Sequence, residues 1–237
     1  MSMMILPSEW VGAAKGPRRG RSLGRLLKRA IDLALASVGL LLLLPAFFLI
    51  SIAIKLDSPG PILYSQERVG RNRRARLNGT PSSRNRRSAD AFGRPFRIHK
   101  FRTMVADAER QTGPVWASAG DIRVTRIGRF LRRTRLDETP QLWNVIVGEM
   151  SIVGPRPERP TFVQSLTTSL PDYPKRCAVM PGITGLAQVK SRYDTSVESA
   201  DRKLKYDLYY LQHGRLLLDL KIMAATVKVM ARGDGAH

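Results

Sequence analysis

Leu33–Ile54, LALASVGLLLLLPAFFLISIAI, decides how the rest of this chain is read. The run holds 22 residues and no charge. At ~1.5 Å of rise per residue it makes roughly 33 Å of helix, enough to cross the apolar core of a bilayer. A soluble core helix seldom stays apolar all round for that long, so membrane insertion is the first expectation. Pro45 sits mid-run. It has no N–H for the carbonyl of Leu41 and its ring crowds that turn, so a kink or break is expected there. Both flanks are basic. Lys15, Arg18, Arg19, Arg21, Arg25, Lys28 and Arg29 precede the run, and Lys55, Arg68, Arg71, Arg73 and Arg74 follow it. Lys and Arg prefer the cytoplasmic side, so a crossing helix places one flank on the wrong side. A helix–break–helix hairpin satisfies both flanks. Spans are the commoner use of such a run, and these residues alone leave hairpin and kinked span both open.

Outward from the run, the formal charge of +21 on 237 residues calls for an anionic partner: acidic headgroups, phosphorylated substrates or nucleic acid. Beside a membrane segment, anionic lipid is the simplest, at ~1 kcal/mol per surface Lys or Arg. A membrane-anchored nucleic-acid binder is the alternative. The basic stretch lacks interleaved aromatics and any reader motif, so no nucleic acid is expected. The single Cys177 excludes an internal disulfide and fits a reducing cytoplasm. One cysteine and three histidines give no zinc spacing. The apolar run is too long for a signal peptide and is read as a retained anchor.

The expected organisation is a disordered basic N-terminus over 1–21, a membrane hairpin over 22–56 and a folded domain over 57–237. In that domain PILYSQERVG alternates as a short strand with Ile62, Tyr64 and Gln66 on one side, and PFRIHKFRTM reads as its hairpin partner. Between them, residues 71–95 are basic and poor in apolar side chains, so a mobile loop is expected. ADAERQTG reads as a short helix. In 121–135, Ile127, Phe130 and Leu131 form an apolar stripe set among arginines, which favours a helix lying at the membrane surface over one docked on a core. Thr139 and Pro140 read as N-cap and first residue of a helix that ends at Gly148. CAVMPGITGLAQVKSR reads as strand, Pro-Gly turn, strand. Helices are expected before Pro171, up to Gly214, and over the C-terminal RLLLDLKIMAATVKVMAR. The class is α+β, helix-dominated. Asp32 reads as an interfacial partner for Lys28 or Arg29.

The chemistry centres on Asp137 and Glu138. Acids at a helix start are ordinarily there for the dipole, worth ~0.3–1 kcal/mol. Here Arg132, Arg133 and Arg135 lie just upstream and Arg156 just downstream. Clustered arginines and helix-end N–H groups suit phosphate, and carboxylates beside phosphate can hold Mg²⁺ or attack phosphorus. The residues alone support a membrane-bound enzyme acting on a phosphorylated substrate.

YSQERVG at 64–70, FRIHKFRTM at 96–104, TRIGRFLRRTRLDETPQLWNVIVGEMSIVGPRPERP at 125–160, PGITGLAQV and KYDLYYLQH carry a resemblance. Over about Leu27 to Arg232 the chain resembles the bacterial sugar transferases, monotopic phosphoglycosyl transferases that move a sugar-1-phosphate from a nucleotide diphosphate sugar to undecaprenyl phosphate. The resemblance implies a re-entrant hairpin broken at Pro45, on the cytoplasmic face of a bacterial inner membrane. It implies Asp137 as nucleophile, releasing UMP from a UDP-sugar, with Glu138 helping to bind Mg²⁺ and Lys100, Arg132 and Arg156 on phosphate. It places the step at the start of exopolysaccharide or O-antigen assembly. The chain departs from many relatives at Leu44, where they have a serine before the break proline. Ser37, Ser51 or a water is then expected to serve the freed carbonyl. The large N-terminal multi-span region of some relatives is absent, so a minimal form is expected. The sugar stays unnamed. The C-terminal helices are where a homodimer contact would fall.

Overall fold

The computed structural model describes residues 22–72, 92–108, 120–191 and 196–232. Most of the 71–95 loop, most of ADAERQTG and the basic N-terminus lie outside these residues. The opening element, α1 (Ser22–Asp57), is one helix of 36 residues. Pro45 lies inside it, and the helical pattern continues across the proline, so the two separate helices of the expected helix–break–helix are not seen. Ser51 does not serve the carbonyl that Pro45 frees, because its hydroxyl donates to Phe47 O at 2.6 Å.

Only 11% of the most apolar 18-residue window of α1 is buried. Leu41, Leu42, Leu44, Phe48, Leu49 and Ile52 are all exposed. Each such side chain costs ~1.5–3 kcal/mol if left in water, so this helix needs an apolar surrounding that its own domain does not supply.

The rest is layered against one face of α1. Strands β1 (Leu63–Val69) and β2 (Pro95–Phe101) form the expected antiparallel hairpin, with Tyr64 opposite Lys100 and Gln66 opposite Ile98. The period of two puts Tyr64, Gln66 and Arg68 on the inner face. The hairpin extends past β1: Gly70 N donates to Arg94 O, and Phe92 packs on the Val69–Val163–Leu204 core. Both ends of the expected mobile loop are therefore pinned.

Helix α2 (Arg126–Thr134) starts at the Thr125 cap, whose side chain accepts from Gly128 N at 3.0 Å. Its stripe divides. Ile127 and Leu131 pack with Ile50, Ile54 and Phe101, while Phe130 stays exposed beside Arg126, Arg129 and Arg133. The expectation of a wholly interfacial stripe is corrected: burial on α1 takes two of its three apolar members.

After a 3-10 turn at Leu136–Glu138 come α3 (Gln141–Val147), β3 (Ser151–Val153) and α4 (Pro160–Ser169). A second 3-10 turn at Tyr173–Ala178 leads to β4 (Gly182–Thr184), α5 (Leu186–Lys190), α6 (Val197–His213) and α7 (Leu216–Arg232). CAVMPGITGLAQVKSR is not a hairpin. Its strand β4 pairs in parallel with β3, and LAQVK is helical. A Cβ on Gly182 would sit 2.1 Å from Gly154 N, so only glycines let these two segments pass so closely.

Both ends of α1 are tied to the folded domain by polar contacts. Lys28 Nζ donates to Val153 O (3.2 Å) and pairs with Asp219 on α7 (2.9 Å). Arg29 caps α3 through Val145 O (2.7 Å) and Ile146 O (3.0 Å). Asp32 accepts from Ile152 N at 3.1 Å, so it is a partner for β3 rather than for Lys28 or Arg29. At the far end Asp57 accepts from Ile127 N at 2.9 Å. The buried Arg102 donates to the carbonyls of Ser58 (2.6 Å) and Pro59.

Candidate active site

The two carboxylates stand in the 3-10 turn rather than at the mouth of α3. Thr139 is not the N-cap of α3. Its hydroxyl donates back to Leu136 O at 2.7 Å, and Pro140 takes the cap position. The turn is entered through Arg135 in the left-handed region, φ 60°, a conformation of some cost for a residue with a Cβ. A 3-10 turn separates consecutive side chains by ~120°, so Asp137 and Glu138 point apart.

Asp137 is 6% exposed, and its Oδ1 is buried with no hydrogen-bond partner. Burial raises its pKa to about 6, and the neighbouring Glu138 adds to the rise. Lys100, Arg156 and Arg132 pull the other way. Glu138 is held differently. Burial would raise its pKa, but the charge and hydrogen bonds of Arg156 outweigh burial and bring it down to about 2. Arg156 Nη1 donates to Glu138 Oε2 at 3.1 Å and Nη2 to Oε1, a two-pronged grip.

Lys100 points from the inner face of β2, its Nζ 5.3 Å from the centre of the Tyr64 ring. Burial lowers its pKa to about 8 against the pull of Asp137. Arg132 Nε donates to Thr103 Oγ1 at 3.0 Å. That contact depends on Gly128: a Cβ there would meet Thr103 O at 2.0 Å and hold α2 away. The charges of all three basic residues picked from the sequence bear on Asp137. Pro45 lies apart from this group, exposed on α1.

Other residues here carried no sequence assignment. Tyr64, Gln66 and Arg68 form a hydrogen-bonded row on β1: Gln66 Nε2 donates to Tyr64 Oη (2.9 Å) and Arg68 Nη2 to Gln66 Oε1 (2.6 Å). Their alternate spacing was the available signal. Among the described residues no group of three or more His, Cys, Asp or Glu could hold a metal. A divalent ion here would need substrate oxygens as well as the two carboxylates.

Residues 23–233 match the family described as bacterial sugar transferase. A UDP-N-acetylgalactosamine-undecaprenyl-phosphate N-acetylgalactosaminephosphotransferase of Aeromonas hydrophila is 38% identical over 89% of this chain and 45% of its own length. A UDP-glucose:undecaprenyl-phosphate glucose-1-phosphate transferase of Caulobacter vibrioides is 39% identical over 90% of this chain and 72% of its own. The exopolysaccharide production protein PSS of Rhizobium leguminosarum is 35% identical over 89% of this chain and 98% of its own. The chain thus spans less than half of the first relative and nearly all of the last.

Proposed function

We propose, from the premise that this chain belongs to the bacterial sugar transferase family, that it transfers a sugar-1-phosphate from a UDP-sugar to undecaprenyl phosphate. One observation carries the reading. A buried carboxylate with an unpartnered oxygen, Asp137, lies within the reach of three cationic side chains, beside a second carboxylate clamped by Arg156. Such an arrangement suits attack on a phosphoanhydride better than it suits a structural ion pair.

In this reading an Asp137 oxygen attacks the β-phosphorus of the UDP-sugar. A carboxylate–phosphorus bond forms, the bond from that phosphorus to the bridging oxygen breaks, and UMP leaves with the electron pair. A phosphate oxygen of the lipid then attacks the same phosphorus. The aspartyl bond breaks, and Asp137 returns as a carboxylate. Titrating at about 6, Asp137 is mostly ionised at neutral pH and needs no base to act as nucleophile. Lys100, Arg132 and Arg156 offset the pyrophosphate charge that would otherwise repel it.

Mg²⁺ belongs to the proposal, and the residues fit it. Asp137 Oδ1 is an acceptor without a partner, and the Glu138 oxygens keep lone pairs beyond those given to Arg156. One or two carboxylates plus substrate phosphates are the usual Mg²⁺ donor set. Bound there, the ion would neutralise charge building on the departing phosphate.

The same reading sets the protein on the cytoplasmic face of a bacterial inner membrane, with α1 dipping in and turning back through a bend at Pro45 that leaves its helical pattern unbroken. Its support is that Lys28, Arg29 and Asp32 at one end, and Asp57 at the other, are all bonded to one folded domain. In a straight helix residues 28 and 57 stand ~43 Å apart, more than a bilayer core of ~30 Å. A crossing helix would require that domain on both sides.

Relatives are named for both glucose and N-acetylgalactosamine, so the test uses a panel. Mg²⁺-dependent UMP release is measured from UDP-glucose, UDP-galactose and their N-acetylated counterparts with undecaprenyl phosphate. Intact-protein mass spectrometry looks for the phosphosugar adduct. No UMP from any donor would overturn the proposal. A positive reaction would be the committed step of a lipid-linked glycan, with exopolysaccharide or O-antigen as the product class proposed.

A further inference from the structure

Arg156 reaches Glu138 from a segment, 154–159, with no helix or strand of its own. Pro155 and Pro157 have no N–H to anchor it. Instead four consecutive carbonyls are taken by donors from elsewhere. Gly182 N donates to Pro155 O (2.9 Å), Arg176 Nη2 to Arg156 O (3.0 Å), Arg68 Nη1 to Pro157 O (3.1 Å) and Val69 N to Glu158 O (2.9 Å).

Arg176 is the donor aimed at the residue that does the clamping. It is 6% exposed and Asp207 on α6 is 1% exposed. Arg176 Nε donates to Asp207 Oδ2 at 2.8 Å, Nη2 lies 2.7 Å from the same oxygen, and Nη1 donates to Tyr173 Oη at 2.9 Å. A buried ion pair is a poor way to gain stability alone, because desolvating both charges offsets most of their attraction. A plain staple between α6 and the second 3-10 turn would not need a guanidinium prong on Arg156 O.

We propose that Arg176, held by Asp207, is a positioning residue for Arg156: it fixes that backbone so that the guanidinium meets Glu138 squarely. A lysine in its place keeps the charge but lacks the fork, so it cannot hold Asp207, Tyr173 and Arg156 O together. The kinetic part of this inference rests on the transferase reading; the structural part does not.

The test uses the full chain in detergent or lipid. Arg176→Lys and Asp207→Asn are expected to lower kcat/KM for the UDP-sugar by ~10–100-fold, the range seen when partners one shell out are lost. Added to Arg156→Ala, Arg176→Lys is expected to cost less than about threefold more, because the group it positions is already gone. Losses that multiply in full would overturn the proposal. Ile222→Ala, buried on α7 in a cluster that contains neither Val69 nor Tyr173, is the stability control. It is expected to lower the melting temperature at least as much while keeping kcat/KM within about threefold. An equal kinetic loss there would mean that general loosening explains the effect.

Amide hydrogen exchange needs no substrate. The Val69 amide, bonded to Glu158 O, is expected to exchange faster in Arg176→Lys and not in Ile222→Ala. Unchanged exchange overturns the positioning role even if the enzyme is active. Faster exchange in Arg176→Lys, with a wild-type protein that releases no UMP, would sink the transferase reading alone. If the ion-pair variants do not fold, Tyr173→Phe removes one Arg176 acceptor without removing a charge and carries the same cycle and exchange comparison.

Discussion

Asp137 and Glu138 are adjacent in the chain and are pushed in opposite directions: burial lifts the first toward about 6, and Arg156 overrides burial to bring the second to about 2. The sign has a stability consequence. A carboxylate whose folded pKa lies above its unfolded value is ionised at neutral pH at the expense of the fold; that penalty starts to shrink as pH falls below about 6 and is gone only below the ordinary carboxylate value. Asp137→Asn is therefore expected to stabilise the protein by about 1 kcal/mol at pH 7, while lowering UMP release at least ~10³-fold and abolishing the adduct. Glu138→Gln is expected to cost stability, because Arg156 loses the charge that it grips. Paired thermal melts and rate assays check both, and an active Asp137→Asn would remove the nucleophile assignment.

Lys100 is pushed the other way from an ordinary lysine. Burial favours its neutral form, so its charge is lost as pH rises through about 8. A phosphate-binding cation lost at that pH produces a falling alkaline limb in kcat/KM, which reports the free enzyme. Arginine stays charged at any usable pH. In Lys100→Arg the limb near pH 8 is expected to vanish, even if the rate at pH 7 drops several-fold. A limb at the same pH in the variant would mean that another group titrates there.

What could be read from the chain divides by distance along it. Gly148, Pro171 and Gly214 sit within a turn of the helix ends they mark, and those ends fall where expected. Asp137, Glu138 and Arg156 lie within one continuous block, so their clustering was legible, but the grip of Arg156 on Glu138 was not, since Arg156 was read as a phosphate contact. The β3–β4 pairing was not, because it depends on two glycine-bearing segments some thirty residues apart passing backbone to backbone. Arg176 and Asp207 were invisible for the same reason, since each looks like an ordinary surface charge on a helical turn. The destination of the α2 stripe depended on α1 lying alongside, a tertiary fact that periodicity cannot carry.

Arg102 closes the far end of α1 from inside the domain. It is buried and donates to the carbonyls of Ser58 and Pro59, which follow the helix and have lost the chance of helical partners. Arg102→Met keeps much of the volume and removes every donor. The bared carbonyls are expected to cost ~2–3 kcal/mol, read as a lower melting temperature or denaturant midpoint in detergent. Lys28→Met at the other end is expected to cost less, because Lys28 is only half-buried and Tyr210 still donates to Asp219 at 2.8 Å. Equal losses would contradict this ranking of the two latches.

The two latches also set the topology to be tested. Gly24, in the first turn of α1, where an added Cβ meets nothing within 4 Å, and Ser65, exposed on β1, lie on the two sides of the apolar run. In a Cys177→Ser background, Gly24→Cys and Ser65→Cys are each expected to react with a membrane-impermeant thiol reagent in inside-out vesicles and not in intact spheroplasts. The reason is mechanical. Lys28 and Arg29 just after one probe, and Asp57 just before the other, bond to the same folded domain, and the exposed leucines around Pro45 are what remains to enter lipid. Replacing Pro45 with leucine removes the ring that disfavours a straight helix, while the polar latches still oppose a crossing. That variant is expected to keep both probes on one side with lower stability. Opposite-side labelling in the native sequence would mean that α1 crosses the bilayer, and the hairpin would have to be abandoned.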